Sequence, residues 1–346
     1  IIKAAALSRA IRTGFSNQIQ EVLLHTGQHY DVNMSDVFFN EMQIPRPDYN
    51  LQVGSGTHGR MTGEMIQGIE DVLLKEKPNY CVLYGDTNST LAGAVAASKL
   101  HIPIVHIEAG LRSYNKAMPE EINRIACDHL STLLFSPTKT GYANLIKEGF
   151  KEHAPPFTID KPGIYHCGDV MYDNSLFYAS MAEQKSEILQ KNKLTPNSFI
   201  LSTIHRDTNT DDAVRLNAIF KALYAIANKS GLAIVLPLHP RTAKMLEKQL
   251  EASLYHAITS SALIKLIEPA SFFDMIVLEK NASMVITDSG GVQKESFFFK
   301  KPCVILRKET EWKEIVEQGA AMVVDADAVA IENAFDFYTT IGEITF

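Results

Sequence analysis

The 346-residue sequence predicts two α/β domains, each a doubly wound parallel sheet, with a cleft between them. Three observations support this fold class. Short apolar runs alternate with helical segments through both halves of the chain, the order typical of successive β–α units. Several of these runs end directly in glycine and polar residues, as buried parallel strands do. The chain is also too long for one ordinary hydrophobic core, which favours a second domain.

The N-terminal half begins with a helix-like segment that no strand precedes. We therefore expect a first strand and its turn to come before it in the full protein. The half predicts strands at residues 19–25, 80–84, 102–107 and 132–135, and helices at residues 1–11, 34–42, 61–75, 91–100 and 139–148. Asn88-Ser-Thr90 is suited to capping the helix at 91–100, and Pro119 followed by two glutamates is suited to opening another.

The C-terminal half repeats the alternation after a proline-rich linker at residues 153–163. It predicts strands at residues 199–204, 232–236, 263–267, 283–287, 302–306 and 322–324, and helices at residues 213–227, 272–279, 292–299, 311–318 and from 329 onward. We place the domain boundary near Gly168, which gives an N-terminal domain of residues 1–167 and a C-terminal domain of residues 168–346.

Composition excludes several classes of protein. A net charge of −7 argues against a general nucleic-acid-binding role, and no apolar run approaches the ~20 residues that span a bilayer. We expect no membrane association and no signal peptide. The four cysteines lack metal-ligand spacing, so we expect reduced, mostly buried thiols and a cytoplasmic location.

Acids and arginines gather where predicted strands end. Asp86 and Glu108 each follow a buried strand, and Glu120 opens the next helix close to Arg112 and Arg124. Ligands of open α/β sheets bind outside the carboxyl ends of the strands, so these groups suggest proton transfer on an anionic substrate. Taken singly, Asp86 is equally suited to capping a helix and Glu120 to favouring a helix start.

A second pattern lies in Asp288-Ser-Gly-Gly291, between a predicted strand and a predicted helix. Two glycines let a ligand approach the backbone, and amides at a helix start bind phosphate. Glu295 lies about one helical turn further on, where a carboxylate could accept bonds from both ribose hydroxyls. The alternative interpretation is a plain capped turn. It loses weight because His205, His239 and Arg307 also follow neighbouring strands.

The sequence closely resembles the non-hydrolysing UDP-N-acetylglucosamine 2-epimerases. The matching segments are Thr26-Gly-Gln-His29, Gly85-Asp-Thr87, His106-Ile-Glu-Ala-Gly-Leu-Arg112, Pro119-Glu-Glu-Ile-Asn-Arg124, Phe135-Ser-Pro137, Gly168-Asp-Val170, His205-Arg206, His239-Pro240, Thr287-Asp-Ser-Gly-Gly-Val-Gln293 with Glu295, and Arg307. They span nearly the whole chain. The resemblance implies two Rossmann-like domains of the glycosyltransferase B type. It also implies a homodimer that needs no metal or cofactor and that serves polysaccharide biosynthesis.

The resemblance further implies an isomerase that interconverts UDP-GlcNAc and UDP-ManNAc at C2, by elimination and re-addition of UDP. It assigns proton transfer to three carboxylates, aid to the leaving UDP to a histidine, and UDP-sugar binding to residues of both halves. In that order, the residues are Asp86, Glu108 and Glu120; His205; and Lys3, Arg124, His239, Ser289, Gly290, Gly291, Glu295 and Arg307. Gln28, with His239, matches a site at which the substrate activates some relatives.

Alternatives to this reaction stay open at the level of the sequence. The segment Arg307-Lys-Glu-Thr-Glu-Trp312, with His205-Arg-Asp-Thr-Asn209, resembles the subgroup that acts on UDP-2,3-diacetamido-2,3-dideoxy-glucuronate. A UDP-sugar glycosyltransferase of the same fold would use the same nucleotide site but has little need for three acids. A nucleotide-sugar sensor would need none of them.

Overall fold

The computed structural model describes residues 2–27, 45–238, 240–341, 344 and 346. The chain divides into two compact units, Ile1–Asn174 and Ser175–Phe346. The helix predicted at residues 34–42 lies outside the described residues.

The first unit contains a four-stranded parallel sheet in the order β3-β4-β5-β6. Its strands are β3 (Cys81–Tyr84), β4 (Ile104–Ile107), β5 (Leu133–Ser136) and β6 (Gly163–His166). A separate parallel pair joins β1 (Leu24–His25) to β2 (Tyr49–Asn50). The strand predicted at residues 19–25 is therefore mostly irregular. Tyr49–Asn50 lies in a stretch rich in proline and glycine, for which the sequence predicts no strand.

The second unit contains a six-stranded parallel sheet in the order β12-β11-β10-β7-β8-β9. Its strands are β7 (Phe199–Thr203), β8 (Ala233–Pro237), β9 (Ile264–Ile267), β10 (Met284–Thr287), β11 (Cys303–Ile305) and β12 (Ala321–Val323). The chain runs outward from β7 to β9 and then returns to place β10 on the other side of β7. The point between β7 and β10, where the strand order reverses, is the place where doubly wound sheets bind ligands.

Helices alternate with these strands as the sequence predicts. In the first unit they are Ile2–Ala10, continued by a π-helical turn at Ile11–Phe15, then His58–Glu76, Asn88–Lys99, Pro119–Leu130 and Lys139–Lys147. The division between the units falls inside Val170–Lys185. The second unit adds Ile188–Lys191, Asp207–Thr210, Ala213–Ser230, Pro240–Gln249, Ala252–Ser260, Phe272–Asn281, Gly290–Phe298, Lys313–Glu317 and Ala328–Thr340.

Local chemistry explains how the helices that position the site begin. Thr87, rather than the predicted Asn88, caps the helix Asn88–Lys99, because its side chain accepts a bond from the Thr90 amide. Pro119 opens the next helix as predicted, with Glu120 and Glu121 in its first turn. Since Thr87 is the cap, Asp86 does not cap this helix, and the structural alternative for that carboxylate is removed.

Each unit has its own apolar core. In the second unit, helix Ala213–Ser230 packs with the central strands through fully buried Leu216, Ile219 and Phe220. In the first, the alanine-rich helix Asn88–Lys99 lies close to its neighbours because its buried side chains are small. Among the described residues, no helix is both long enough and apolar enough to span a membrane.

Candidate active site

Two candidate carboxylates follow neighbouring strands of the first sheet. β3 and β4 pair in register, with Tyr84 opposite Ile107, so Asp86 and Glu108 emerge from the same edge. Glu108 is buried, and its carboxylate Oε1 lies 2.5 Å from the Nζ atom of Lys3. The structure thus joins Lys3 to Glu108, two residues that the resemblance assigns to substrate binding and to proton transfer.

Gly85 is required where these groups meet. Its φ angle is +64°, and an added Cβ would lie 2.6 Å from Lys3 Nζ and 3.5 Å from Glu108 Oε1. Glu108 itself has a φ angle of +76°, a left-handed conformation that is uncommon for a residue with a side chain. Such strain concentrates at functional sites, which is consistent with a role for Glu108 beyond packing.

Asp86 is bound by the second predicted cation. Arg124 places its Nη2 atom 2.6 Å from Asp86 Oδ2 and its Nη1 atom 3.0 Å from Glu121 Oε2. The guanidinium is buried between these two acids. The pairing of Asp86 with Arg124 agrees with the prediction that both belong to one site, whereas Glu121 was not among the predicted site residues.

Glu120 has different surroundings from those of Glu121. It is half-buried in the first turn of its helix, and the structure gives it no ion pair within the described residues. Glu121 is 1% exposed and is bound to Ser113, Tyr114 and Arg124. The structure therefore brings Asp86, Arg124, Glu108 and Lys3 into pairs and leaves Glu120 without a bonded partner among them.

A buried ionic network supports these loops. His106 lies 2.7 Å from Asp128 through Nδ1 and 2.8 Å from the Gly85 carbonyl through Nε2. Asp128 also binds Arg112 at 2.7 Å, and Arg112 binds both carboxylate oxygens of Glu148. Arg112 is 2% exposed. Our expectation that Arg112 faces the ligand crevice is therefore wrong, because both acids hold its guanidinium in the interior.

Two pKa shifts follow from this network. Burial alone lowers the pKa of His106, but its interactions with Cys127 and Asp128 outweigh burial and raise that pKa well above 6.5. Burial alone raises the pKa of Asp128, but His106 and Arg112 outweigh it and hold that pKa below 3.8. His106 also has an oxygen at each ring nitrogen, so both nitrogens donate, as only the charged imidazole can.

In the second unit, a histidine and an aspartate meet between β7 and β10. His205 directs its Nδ1 atom to Asp288 Oδ1 at 3.3 Å, and its side chain is half exposed. Asp288 is fully buried and accepts bonds from the backbone amides of His205 and Arg206 and from the side-chain amide of Asn209. Sequence reasoning found His205 but did not assign a role to Asp288, whose carboxylate lies beside the imidazole.

The Asp288-Ser-Gly-Gly291 turn opens a helix, as predicted. Ser289 caps the helix Gly290–Phe298 by accepting a bond from the Val292 amide at 3.4 Å. A Cβ at Gly290 would lie 2.7 Å from Glu311 Oε1, whereas Gly291 is exposed. The capped turn and the phosphate-binding turn are thus compatible, because the side-chain cap uses only one of the amides at the helix start, and amides at a helix start bind phosphate.

Two acids line the inner side of this helix. Glu279 is 1% exposed and its side chain is hydrogen bonded to Glu295. Burial and then the neighbouring Glu295 raise the pKa of Glu279 well above 4.5. The hydrogen bond between Glu279 and Glu295 orients the carboxylate that the sequence selected for ribose binding.

The segment Arg307-Lys-Glu-Thr-Glu-Trp312 packs on the same helix. Arg307 Nη2 lies 3.1 Å from Glu311 Oε2, and both residues are buried. Thr310 donates to Gln293 Oε1 at 2.7 Å, and Lys294 Nζ lies 4.3 Å from the centre of the Trp312 ring. These contacts anchor the segment to the candidate nucleotide site. His239 and Gln28 lie outside the described residues.

The first unit has two acids paired with cations at strand ends, and the second has a histidine and a helix start at the point where the strand order reverses. Together these features are those of a nucleotide-binding α/β enzyme. Comparison with known proteins identifies the family within this class. The family model "UDP-N-acetylglucosamine 2-epimerase" matches residues 13–340, and the chain belongs to this family. The predicted family and the predicted fold of two Rossmann-like, glycosyltransferase B-type domains are thereby confirmed.

Individual relatives cover most of the chain. The UDP-2,3-diacetamido-2,3-dideoxy-D-glucuronate 2-epimerase of Pseudomonas aeruginosa is 48% identical over 94% of this chain and 85% of its own. The UDP-N-acetylglucosamine 2-epimerase of Methanocaldococcus jannaschii is 42% identical over 94% of this chain and 85% of its own. A crystal structure of the Methanocaldococcus jannaschii UDP-GlcNAc 2-epimerase with UDP-GlcNAc and UDP has a TM-score of 0.87. Its sequence identity is 40%, over 99% of this chain and 90% of that one.

Proposed function

We propose that this protein epimerises UDP-GlcNAc to UDP-ManNAc reversibly at C2, by elimination and re-addition of UDP. The observation that carries the proposal is the pair of cation-bound acids at adjacent strand ends, Asp86 with Arg124 and Glu108 with Lys3. Several acids at adjacent strand ends are suited to proton transfer, whereas a glycosyltransferase or a nucleotide-sugar sensor has little use for them.

The chemistry of the sugar explains why both halves of the chain are needed. The C2 proton of an N-acetyl sugar is not acidic, so a base alone would not remove it at a useful rate. Departure of UDP drives the step, and cations together with helix amides stabilise the charge on the leaving diphosphate. Re-addition of the proton to the other face requires a second acid or an acid that reaches both faces.

We assign these tasks by domain. In the N-terminal domain, residues 1–167, Asp86, Glu108 and Glu120 move the C2 proton, and Lys3 and Arg124 contact the substrate. In the C-terminal domain, residues 168–346, His205 stabilises the leaving diphosphate and is oriented by Asp288. The UDP moiety is bound by Ser289, Gly290, Gly291, Glu295, Arg307 and His239. We further propose that the enzyme acts as a cytoplasmic homodimer.

The substituents of the sugar define a second candidate. The complex of the Methanocaldococcus jannaschii enzyme supports UDP-GlcNAc as the substrate of this chain. The Pseudomonas aeruginosa relative acts, by its name, on the diacetamido-glucuronate analogue, and its 48% identity favours that substrate as the alternative. Both substrates undergo the same reaction at C2, so the alternative changes the recognition of C3 and C6 only.

Exchange of the C2 proton in deuterated water tests the proposal. Wild-type protein given UDP-GlcNAc is expected to incorporate deuterium at C2 in both epimers, as read by NMR. Asp86→Asn is expected to abolish exchange and to keep its affinity for UDP, because the substitution leaves the C-terminal site intact. Asp71→Asn, the same change at an exposed position of the helix His58–Glu76, serves as the control.

The outcomes separate the candidates. Exchange with the diacetamido-uronate and not with UDP-GlcNAc would move the assignment to the second substrate. Transfer of the sugar to an acceptor, with an unlabelled C2, would overturn both candidates in favour of a glycosyltransferase.

A further inference from the structure

Glu121 is a buried carboxylate to which sequence reasoning assigned no catalytic task. Its Oε2 atom accepts the Ser113 amide at 2.9 Å, the Ser113 hydroxyl at 3.1 Å and Arg124 Nη1 at 3.0 Å. Its Oε1 atom accepts the Tyr114 amide at 2.9 Å. Four donors thus hold one carboxylate that is 1% exposed. The carboxylate is fixed in place on both sides, by a loop and by the guanidinium.

Fixing one nitrogen of Arg124 also fixes the other. A guanidinium is planar and presents its donors in a rigid fork, so a bond at Nη1 determines the direction of Nη2. Nη2 lies 2.6 Å from Asp86 Oδ2. The side chain of Arg124 is 5% exposed and that of Asp86 is 21% exposed. The bonded path therefore runs from the buried loop, through Glu121 and Arg124, to the more accessible carboxylate of Asp86.

We propose that Glu121 is a positioning residue for the reaction: it holds Arg124 in the orientation that places the carboxylate of Asp86. This inference rests on the proposed epimerase function, because Asp86 has a task only there. It assigns different roles to adjacent acids. Glu120 is half-buried and keeps its proposed task of moving the C2 proton. Glu121 acts at a distance from the reacting carbon and does not touch the substrate.

A purely structural role for Glu121 gives a different result. If the carboxylate only tied the Ser113–Tyr114 loop to the helix, its removal would lower stability and its effect would be independent of Arg124. If it acts through Arg124, removing it matters only while Arg124 is present. A double-mutant cycle with Arg124 distinguishes these two cases.

The cycle uses the full chain and comprises wild type, Glu121→Gln, Arg124→Lys and the double variant. Lysine keeps the charge but lacks the fork that reaches two acids at once. Misplacing a catalytic group by about 1 Å costs on the order of 10²-fold in rate. We expect Glu121→Gln to lower kcat for C2 deuterium exchange by that order, with KM and the Kd for UDP unchanged. The double variant is expected to match Arg124→Lys within about threefold.

Glu64→Gln is the matched control. It makes the same chemical change at an exposed glutamate that also pairs with an arginine, Arg60, at 2.7 Å, and we expect it to leave kcat unchanged. Thermal unfolding checks that each variant folds. If Glu121→Gln does not fold, the cycle is run with Glu121→Asp, which keeps the charge and withdraws it from Arg124 by one methylene group.

The experiment distinguishes failure of the proposed function from failure of the positioning role. Wild-type protein without C2 exchange on either sugar would overturn the proposed function. Active wild-type protein, with losses for Glu121→Gln and Arg124→Lys that multiply in the double variant, would overturn the positioning role alone. An unchanged kcat for Glu121→Gln would also overturn it.

Discussion

Asp128 connects the two loops that carry the candidate acids. Its Oδ1 atom binds His106, which in turn binds the Gly85 carbonyl beside Asp86. Its Oδ2 atom accepts the Gly110 amide at 3.1 Å, two residues after Glu108. One fully buried carboxylate therefore sets the backbone at the ends of β3 and β4. The geometry of Asp86 and Glu108 depends on a residue that neither of them contacts through the bonds described.

Asp128→Asn is expected to lower the free energy of unfolding by about 3 to 5 kcal/mol, because it leaves His106 and Arg112 buried without their shared counter-charge. The expected loss depends on pH. The contribution of His106, whose pKa is raised, is complete below 6.5 and is lost as pH rises through its folded value. The contribution of Asp128, whose pKa is lowered, is complete above 3.8 and is lost as pH falls through its folded value.

Urea unfolding of wild type and Asp128→Asn across a pH series measures this dependence. The difference between them is expected to be largest between pH 3.8 and 6.5 and to shrink on both sides. Asp71→Asn is the control. A difference that stays constant from pH 4 to pH 9 would contradict a charged His106–Asp128 pair, because a neutral pair has no such pH dependence.

The sequence predicted several residues of the site but not which residues bond to one another. Asp86, Glu108 and His205 were found because each follows a buried apolar run, which is visible in the sequence. Glu121 and Glu120 are adjacent and chemically identical, and only the packing of their helix separates them. A signal did exist: Glu121, Arg124 and Asp128 are spaced i, i+3 and i+7, so they share one helix face. That face turned out to be the buried one.

At the level of elements, the loop after β4 depends on a glycine. Gly110 has a φ angle of +81°, and a Cβ there would lie 2.2 Å from the carbonyl oxygen of Gly141. We expect Gly110→Ala to destabilise the protein by several kcal/mol, on the order of 3 or more, because the clash involves backbone and the conformation is left-handed. Thermal or urea unfolding measures the loss, and C2 exchange is expected to fall with it as the Glu108 loop is displaced.

Gly63→Ala provides the contrasting substitution. Gly63 lies in the middle of the helix His58–Glu76, is exposed and has nothing within 4 Å of an added Cβ. Alanine there is expected to stabilise by about 0.5 to 1 kcal/mol through helix propensity alone. Equal effects at positions 63 and 110 would show that the loop after β4 does not have the close approach to Gly141.

The strands were more predictable than the short helices for a physical reason. β7 and β10 are buried at every position, so their apolar runs stand out and their predicted bounds differ from the structure by one residue. Asp207–Thr210 and Ile188–Lys191 are one turn each, too short to show a helical period. They form because the surrounding tertiary structure holds them, as Asn209 does when it bonds to Asp288 and the Leu306 carbonyl.

For the whole molecule, the alternation of strands and helices predicted a parallel sheet in each half. The structure has a four-stranded sheet in the first unit and a six-stranded sheet in the second, and the pair β1–β2 stands apart from both. The strand order could not be obtained in the same way, because the sequence does not state that β10 returns to the side of β7. That return places His205, Asp288 and Ser289 together, although 82 residues separate the first two along the chain, from 206 to 287. The tertiary fold, rather than any local motif, assembles this half of the site.

The proposed UDP-binding residues and the proposed acids lie in different units. Each part of the substrate is therefore expected to slow backbone hydrogen exchange in a different part of the chain. The residues proposed to hold UDP lie almost entirely in the second unit, and the proposed proton-transfer acids lie in the first. UDP alone at about 100 times its Kd stabilises the states that bind it by roughly 2.7 kcal/mol. We expect hydrogen exchange to slow at residues 199–206 and 284–298 with UDP, and at residues 85–124 only when the N-acetylated sugar is attached.

Asp86→Asn is expected to keep the UDP-dependent protection. Equal protection of residues 85–124 by UDP alone would contradict this division, since the nucleotide would then act on the acids without the sugar.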